Sequence, residues 1–307
     1  MLGIAIGDAF GAAYENLSRK DVRRIFDPTK YSKNPLFNDH IPGTYTDDTQ
    51  MSIAVAELIT SGEEFTPLNL ANYFVSAFKR DMRPGYSRYS FQALQESKSG
   101  KEFLAKVTQS SEKNGATMRA IPIGVIPEKD KVINYCVVNA ETTHHSPSAI
   151  ASSVAMGLAA HYFFYNVDEA KSVLDFCLEY LNENNFDRKS IEYLNEVLKM
   201  ENLDLGILLG KEYANVGVPV NGIKTAGVVL FLLKGFSSEK PFEALKEAIL
   251  LGGDTDTTAA LTLGVFTARY GLNQLPEFLT CGLEGGEYGK DFVMSIGEKL
   301  GRLAVDK

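Results

Sequence analysis

The sequence predicts an all-α fold in one domain, residues 1–307, and three observations carry that expectation. Apolar residues recur at helical spacing through most of the chain, as in Leu68, Ala71, Phe74, Val75 and Phe78; this is the period of a helix face turned to a core. Sustained period-2 alternation is nearly absent, and the one tempting strand, Lys131–Val138, reads equally as helix. The periodic segments are also separated by turn and cap signals, such as Asn114-Gly115 and Ser146-Pro147. Length alone, at 307 residues, does not choose between one domain and two.

In chain order, Gly3, Gly7 and Gly11 repeat every four residues and line one stripe of a first helix, which predicts close packing against another helix. Asp8 and Glu15, seven apart, share a different stripe. Met1–Ala13 is apolar, but Asp8 interrupts it and no basic segment precedes it, so neither a signal peptide nor a membrane span is expected. The cytoplasm is the expected location. Ser18–Gly43 is polar, carries Pro28, Pro35 and Pro42, and reads as a long loop with one short helix, of the kind that lines or covers a site. Helices are then predicted at Thr46–Thr60 and Pro67–Arg80, followed by a loop over Asp81–Ser90. Ser146-Pro147 supplies the N-cap and first residue of a helix running to about Tyr165. Val167–Met200 reads as two helices. Leu203–Glu212, Lys224–Lys234, Pro241–Leu250 and Ala259–Tyr270 follow, Gly271–Pro276 is a break, and Phe292–Leu303 closes the chain.

Composition fits an ordinary globular protein with an ample core: 45% of residues are hydrophobic and 23% charged. A net charge of −8 without a basic run argues against a nucleic-acid surface. Cys136, Cys177 and Cys281 form no CxxC and no disulfide framework, so reduced thiols are expected.

Two stretches stand out chemically. Thr44-Tyr45-Thr46-Asp47-Asp48-Thr49 and Leu251-Gly252-Gly253-Asp254-Thr255-Asp256-Thr257-Thr258 each put two carboxylates and several hydroxyls just before a long helix. Asp and Thr in that place are ordinary N-caps. A cap needs only one oxygen, however, and neighbouring carboxylates repel unless a cation lies between them. Hard oxygen donors suit Mg²⁺, Mn²⁺ or Ca²⁺. Gly252-Gly253 would let another backbone approach closely. The repetition favours a shared metal site over two lavish caps.

Three further stretches complete a pattern: Gly3-Ile4-Ala5-Ile6-Gly7-Asp8-Ala9-Phe10-Gly11 running on to Glu15, Asn114-Gly115-Ala116-Thr117-Met118-Arg119, and Thr143-His144 before a small-residue helix. With the two acidic stretches, this ordered set resembles the ADP-ribosylglycohydrolase family, which includes dinitrogenase-reductase-activating glycohydrolases and ADP-ribosylarginine hydrolases. The matches span residues 3 to 270. The resemblance implies a compact orthogonal helical bundle. It also implies two Mg²⁺ per chain, with Mn²⁺ the alternative, on Thr46, Asp47, Asp48, Asp254, Asp256 and Thr257. Glu15, Asp48 and Asp256 take the catalytic roles, while Asn114, Gly115 and His144 hold the substrate. The implied reaction is hydrolysis at C1″ of ADP-ribose attached to a protein or a small molecule. Arg88, Tyr89, Glu112 and Lys113 depart from relatives at the substrate rim, so the acceptor group stays open among arginine, serine, an acetyl ester and a base. A nucleotide phosphohydrolase lacks support, because there is no Walker lysine loop or His-Asp pairing. A Ca²⁺ structural module lacks EF-hand spacing. A non-catalytic, crystallin-like relative is opposed by retention of all six ligands and Glu15.

Overall fold

The glycine stripe at the start of the chain sets the first contact of the core. In the computed structural model, which describes residues 1–107, 110–165, 171–236 and 240–305, helix α1 (Leu2–Gly11) lies against the helix at Thr255–Tyr270. A Cβ at Gly7 would sit 2.3 Å from the Ala259 carbonyl oxygen, and one at Gly11 would sit 2.3 Å from that of Thr255. No side chain fits in either place, so the two backbones touch directly. Gly3 faces Leu263 and Thr267, so the partner residue number falls by about four as α1 advances by four. The helices are therefore antiparallel. This register delivers the end of α1, and Glu15 just beyond it, to the start of the later helix.

Fifteen further helices follow among the described residues: α2 (Arg19–Ile25), α3 (Asp47–Ser61), α4 (Pro67–Arg80), α5 (Arg88–Glu96), α6 (Gly100–Leu104), α7 (Lys129–Glu141), α8 (Pro147–Tyr165), α9 (Val173–Glu183), α10 (Arg188–Lys199), α11 (Leu205–Leu208), α12 (Gly222–Gly235), α13 (Pro241–Leu250), α14 (Thr255–Tyr270), α15 (Glu277–Cys281) and α16 (Lys290–Val305). Their β structure is confined to isolated bridges, Leu17 with Gly253 and Val218 with Gly253. The all-α expectation holds. None of these helices is long and apolar enough to cross a membrane.

α1, α8 and α14 are buried nearly all round, which is the pattern of central helices rather than surface ones. α14 is the spine. Its Leu261, Val265 and Phe266 join an apolar cluster with Phe74, Phe78, Leu158, Leu174 and Val229. Its Ala259 and Leu263 join a second with Phe10, Leu245, Leu279, Val293 and Ile296. The acidic start of α14 is thus fixed to both halves of the core.

Several expectations change. Lys131–Val138 is helix, because Val132, Ile133, Cys136 and Ala140 form the inward face of α7. Arg88–Glu96 and Gly100–Leu104 are short helices the periodicity did not announce; α5 buries only Ala93 and Leu94. Leu203–Glu212 yields only α11, with Gly210 at φ +96 beyond it. Asp8 and Glu15 do not share a helix stripe, since α1 ends at Gly11 and a 3₁₀ turn at Ala12–Tyr14 leads to an extended Glu15. The predicted start at Val167 lies outside the described residues.

Candidate active site

Helices normally begin with a side chain that accepts one of the orphan N–H groups of the first turn. Ser18, Thr66, Ser87, Ser99, Ser172, Asp187, Asp204 and Asn221 all do so here. Thr46 before α3 and Asp254 before α14 have suitable side chains and make no such bond. Something else must stabilise these two starts, and the structure shows a different substitute at each.

At α3 the substitute is Asp8, buried in the middle of α1. Its Oδ1 accepts the Thr46 hydroxyl at 2.8 Å, and its Oδ2 accepts N–H groups of Thr46 and Thr49, both at 3.0 Å, and the Thr49 hydroxyl at 2.5 Å. A carboxylate from another helix thus does the work of a cap. Burial raises the Asp8 pKa to about 6, against the opposing pull of these four bonds. Because the Thr46 proton is committed to Asp8, lone pairs remain on that hydroxyl for a cation. Asp47 and Asp48, freed from capping, line a cavity.

At α14 the first-turn N–H of Thr257 is accepted by Asp256 Oδ1 at 2.9 Å, and the chain entering the helix is held by a backbone junction. Gly252 and Gly253 have φ of +71° and +76°, a region open to glycine at little cost. That conformation lets three strands of chain meet. Gly253 exchanges bonds with residues 16 and 17, Asn16 N–H donating to Gly253 O and Gly253 N–H to Leu17 O, both at 2.8 Å. On the other side Val218 N–H donates to Gly252 O at 2.9 Å, and Asp254 N–H to Val218 O at 3.0 Å. A Cβ on Gly253 would lie 2.3 Å from Val218 O. The Thr255 and Thr258 hydroxyls turn to the backbone, on Gly11 O at 2.8 Å and Asp254 O at 2.6 Å. Asp254, Asp256 and Thr257 line the cavity instead.

Both starts open on that one cavity, of about 440 Å³, whose wall also includes Glu15, Gly85, Tyr86, Tyr89, Lys113, Asn114, Gly115, Arg119, Thr143 and His144. Of the sequence-predicted site residues, all but Thr46 are in its wall; Thr46 adjoins Asp47 in sequence and is bonded to Asp8. Asn114 is buried and its amide donates to Asp254 and, at 3.2 Å, to Thr225, so this side chain holds an acidic residue in place. Gly115 provides room for the ring of His144, since a Cβ there would be 2.7 Å from Cε1. Gly85 roofs Asp47: a Cβ on it would fall 2.0 Å from Asp47 Oδ1.

The electrostatics divide the cavity. Burial pushes Asp47, Asp48 and Asp256 well above the usual carboxylate range, and their acidic neighbours push further: Asp8 and Glu15 on Asp47, Asp47 on Asp48, Glu15 and Asp48 on Asp256. Glu15 is raised to about 7, by burial first and then by Asp254 and Asp8. His144 faces the opposite field. Burial and then the charges of Arg119 and Lys113 push it down to about 3.

This wall fits a hard divalent cation. Every donor is oxygen, the carboxylates repel one another, and Asp48 Oδ1 is buried with no hydrogen-bond partner among the described residues. No three acidic, histidine or cysteine side chains among those residues close on one point as a ready-made shell. The donors are instead divided between two helix starts and include threonine hydroxyls.

Sequence reasoning did not single out Asp8, Arg119 or Thr143 as working parts. The available signal at Asp8 was a charge in the middle of an otherwise apolar helix, since a buried charge requires partners.

The ADP-ribosylglycohydrolase family profile matches residues 1–306. An ADP-ribosylhydrolase ARH3 of Xenopus tropicalis is 27% identical, over 99% of this chain and 94% of its own. An ADP-ribosyl-[dinitrogen reductase] glycohydrolase of Rhodospirillum rubrum is 22% identical, over 90% of this chain and 85% of its own. Among solved structures, a chain described as an ADP-ribosylglycohydrolase-related protein complex superimposes with a TM-score of 0.72 at 19% identity, covering 99% of this chain and 95% of that one. The chain belongs to the ADP-ribosylglycohydrolase family.

Proposed function

We propose that this protein hydrolyses the glycosidic bond at C1″ of the distal ribose in an ADP-ribose conjugate, using Mg²⁺ or Mn²⁺. The observation that carries this reading is the convergence of two acidic helix starts, whose Thr46 and Asp254 side chains make no cap bond, on one cavity large enough for a nucleotide-sized ligand. Thr46, Asp47, Asp48, Asp254, Asp256 and Thr257 would hold the metal. Bound there, a divalent cation would orient sugar hydroxyls and water and make that water more acidic.

The chain's own groups account for the rest. Glycoside cleavage passes through an oxocarbenium-like state, which carboxylates stabilise and which needs a proton supplied to the leaving group. Glu15, at a pKa of about 7, exchanges protons near neutrality. Its Oε1 accepts from Asn16 Nδ2 at 3.0 Å. Asn16, held in the left-handed region at φ +64°, is pinned by its own N–H to Gly253, so Glu15 is fixed relative to Asp254. Gly85 lies over Asp47, and Tyr86 and Ser87 continue the wall beside it.

A panel of ADP-ribosylated substrates, linked through arginine, serine, an acetyl ester or a base, tests this with Mg²⁺ and with chelator. At least one should release ADP-ribose only when metal is present. Release from none, or release indifferent to chelator, contradicts the reading.

A further inference from the structure

Arg119 is the largest of the fully buried side chains, and among the described residues it has no carboxylate at ion-pair distance. The groups in direct contact with it are neutral, while Asp47 and Tyr86 act on its charge from further off. Nε donates to Asn139 Oδ1 at 2.7 Å, and Nη2 donates to Asn139 O at 3.0 Å and to Thr143 Oγ1 at 2.7 Å. The guanidinium also lies 4.4 Å from the ring centre of Phe74. An arginine placed so deeply without an ion pair needs a reason beyond packing.

The reason lies one bond further on. A guanidinium only donates, so Thr143 Oγ1 must accept from it. The same oxygen is 2.7 Å from His144 Nδ1. The hydroxyl has a single proton, and Nδ1 is its one acceptor within reach among the described residues. Were Nδ1 protonated, the threonine oxygen would receive two donors and its own buried proton would have no acceptor, an arrangement folded proteins avoid. Nδ1 therefore accepts, and the ring proton sits on Nε2. The Cε1–Nε2 edge occupies the space left by the missing Gly115 side chain, with Nε2 3.0 Å from where a Cβ would be. Nε2 has no protein partner among the described residues, and His144 is part of the cavity wall.

We infer that Arg119 is a positioning residue which, through Thr143, holds His144 in its Nε2–H form, so that the cavity offers a hydrogen-bond donor to an oxygen of the ligand. Arg119 and Lys113 are the charges His144 feels most, which favours an anionic oxygen such as that of a phosphate. The low pKa of His144 keeps the ring neutral and the donor single. The identity of the ligand oxygen rests on the ADP-ribose reading above, whereas the tautomer does not.

The test is long-range ¹⁵N–¹H NMR on protein labelled at its four histidines, in wild type, Thr143→Val and Thr143→Ser, with ADP-ribose affinity measured by calorimetry in parallel. Wild type should show His144 as the Nε2–H tautomer, with Nδ1 displaced toward the shift of a hydrogen-bond acceptor. Thr143→Val should lose that displacement and bind ADP-ribose about tenfold more weakly, while Thr143→Ser keeps both properties. Nδ1–H or imidazolium in the wild type overturns the inference, as does a Thr143→Val protein with unchanged spectrum and affinity. If Thr143→Val does not fold, the wild-type and Thr143→Ser spectra still decide it. If wild type shows the expected tautomer but no ADP-ribose binding, the proposed function fails and the tautomer assignment stands.

Discussion

The start of α10 and the starts of α3 and α14 use the same residue types for opposite ends. At α10, Asp187 accepts the N–H of Ser190 at 2.9 Å and its hydroxyl at 2.6 Å, and the helix is complete with one carboxylate. At α3 capping is delegated to Asp8, and at α14 Asp256 Oδ1 takes the Thr257 N–H at 2.9 Å; Asp47, Asp48, Asp254 and Asp256 share a buried wall in which the first three raise the pKa of acidic neighbours. Buried carboxylates crowd at these two starts and not at the eight ordinary caps, the contrast expected if the first set serves a ligand and the second serves helices.

The largest expected effect comes from removing the charge on either side of the wall. Asp48→Asn and Asp256→Asn should each lower Mg²⁺-dependent ADP-ribose release by roughly two orders of magnitude or more, given what a catalytic metal contributes. Both should stay folded, and in chelator they should be at least as stable as wild type, because a repulsive buried charge is gone. If they lose stability as capping variants do and keep their turnover, the distinction collapses.

Asp8 sharpens the comparison from within α3. Asp8→Asn replaces one acceptor oxygen with a donor facing N–H and O–H groups, and should cost about 2–3 kcal/mol in denaturant unfolding. Turnover should fall as well, because Thr46, Asp47 and Asp48 lose their anchor. A stability change under about 0.5 kcal/mol would show that α3 does not depend on Asp8 for its cap.

The third effect is a pH dependence whose sign follows from the raised pKa values. Asp8 moves from 3.8 to about 6 and Glu15 from 4.5 to about 7, so the folded chain holds protons the unfolded chain has released. In chelator, the stability these two groups contribute is therefore greatest below about pH 4 and is lost as pH rises through their folded values of about 6 and about 7. Mg²⁺ binds the deprotonated wall, so it should raise the melting temperature more at pH 8 than at pH 5, by on the order of 5 °C. Equal stabilisation at both pH values would contradict the account.

The smallest effect is the control. Asp187→Asn keeps a capping oxygen and should change stability by less than about 0.5 kcal/mol, and activity not at all. A clear loss of activity would mean that the response to Asp→Asn does not identify ligand-serving carboxylates.

Much of this was legible in the sequence, for physical reasons that differ by region. The spacing of Gly3, Gly7 and Gly11 announced a close helix contact, because only glycine permits backbones to touch. The two acidic stretches announced themselves by having more oxygen than a cap can use. What could not be read was the long-range pairing: which helix the glycine stripe meets, and that Asp8 would reach across to Thr46 and Thr49. Those facts depend on register between segments far apart in the chain. Glu15 shows the limit clearly. Helical spacing placed it on a stripe with Asp8, whereas contacts with Gly253 pull the chain out of the helix before it. α5 and α6 were missed because short helices bury too few residues to leave a period.

The central claim is that the two acidic starts act as one ligand-holding unit. Calorimetric titration of chelator-treated protein with Mg²⁺ tests it most directly, comparing wild type with Asp48→Asn, Asp256→Asn and Asp187→Asn. The account predicts binding in wild type and in Asp187→Asn, with severe weakening in both wall variants although their substitutions lie on different helices. Unchanged binding in Asp48→Asn and Asp256→Asn, or no binding in the wild type, would contradict it.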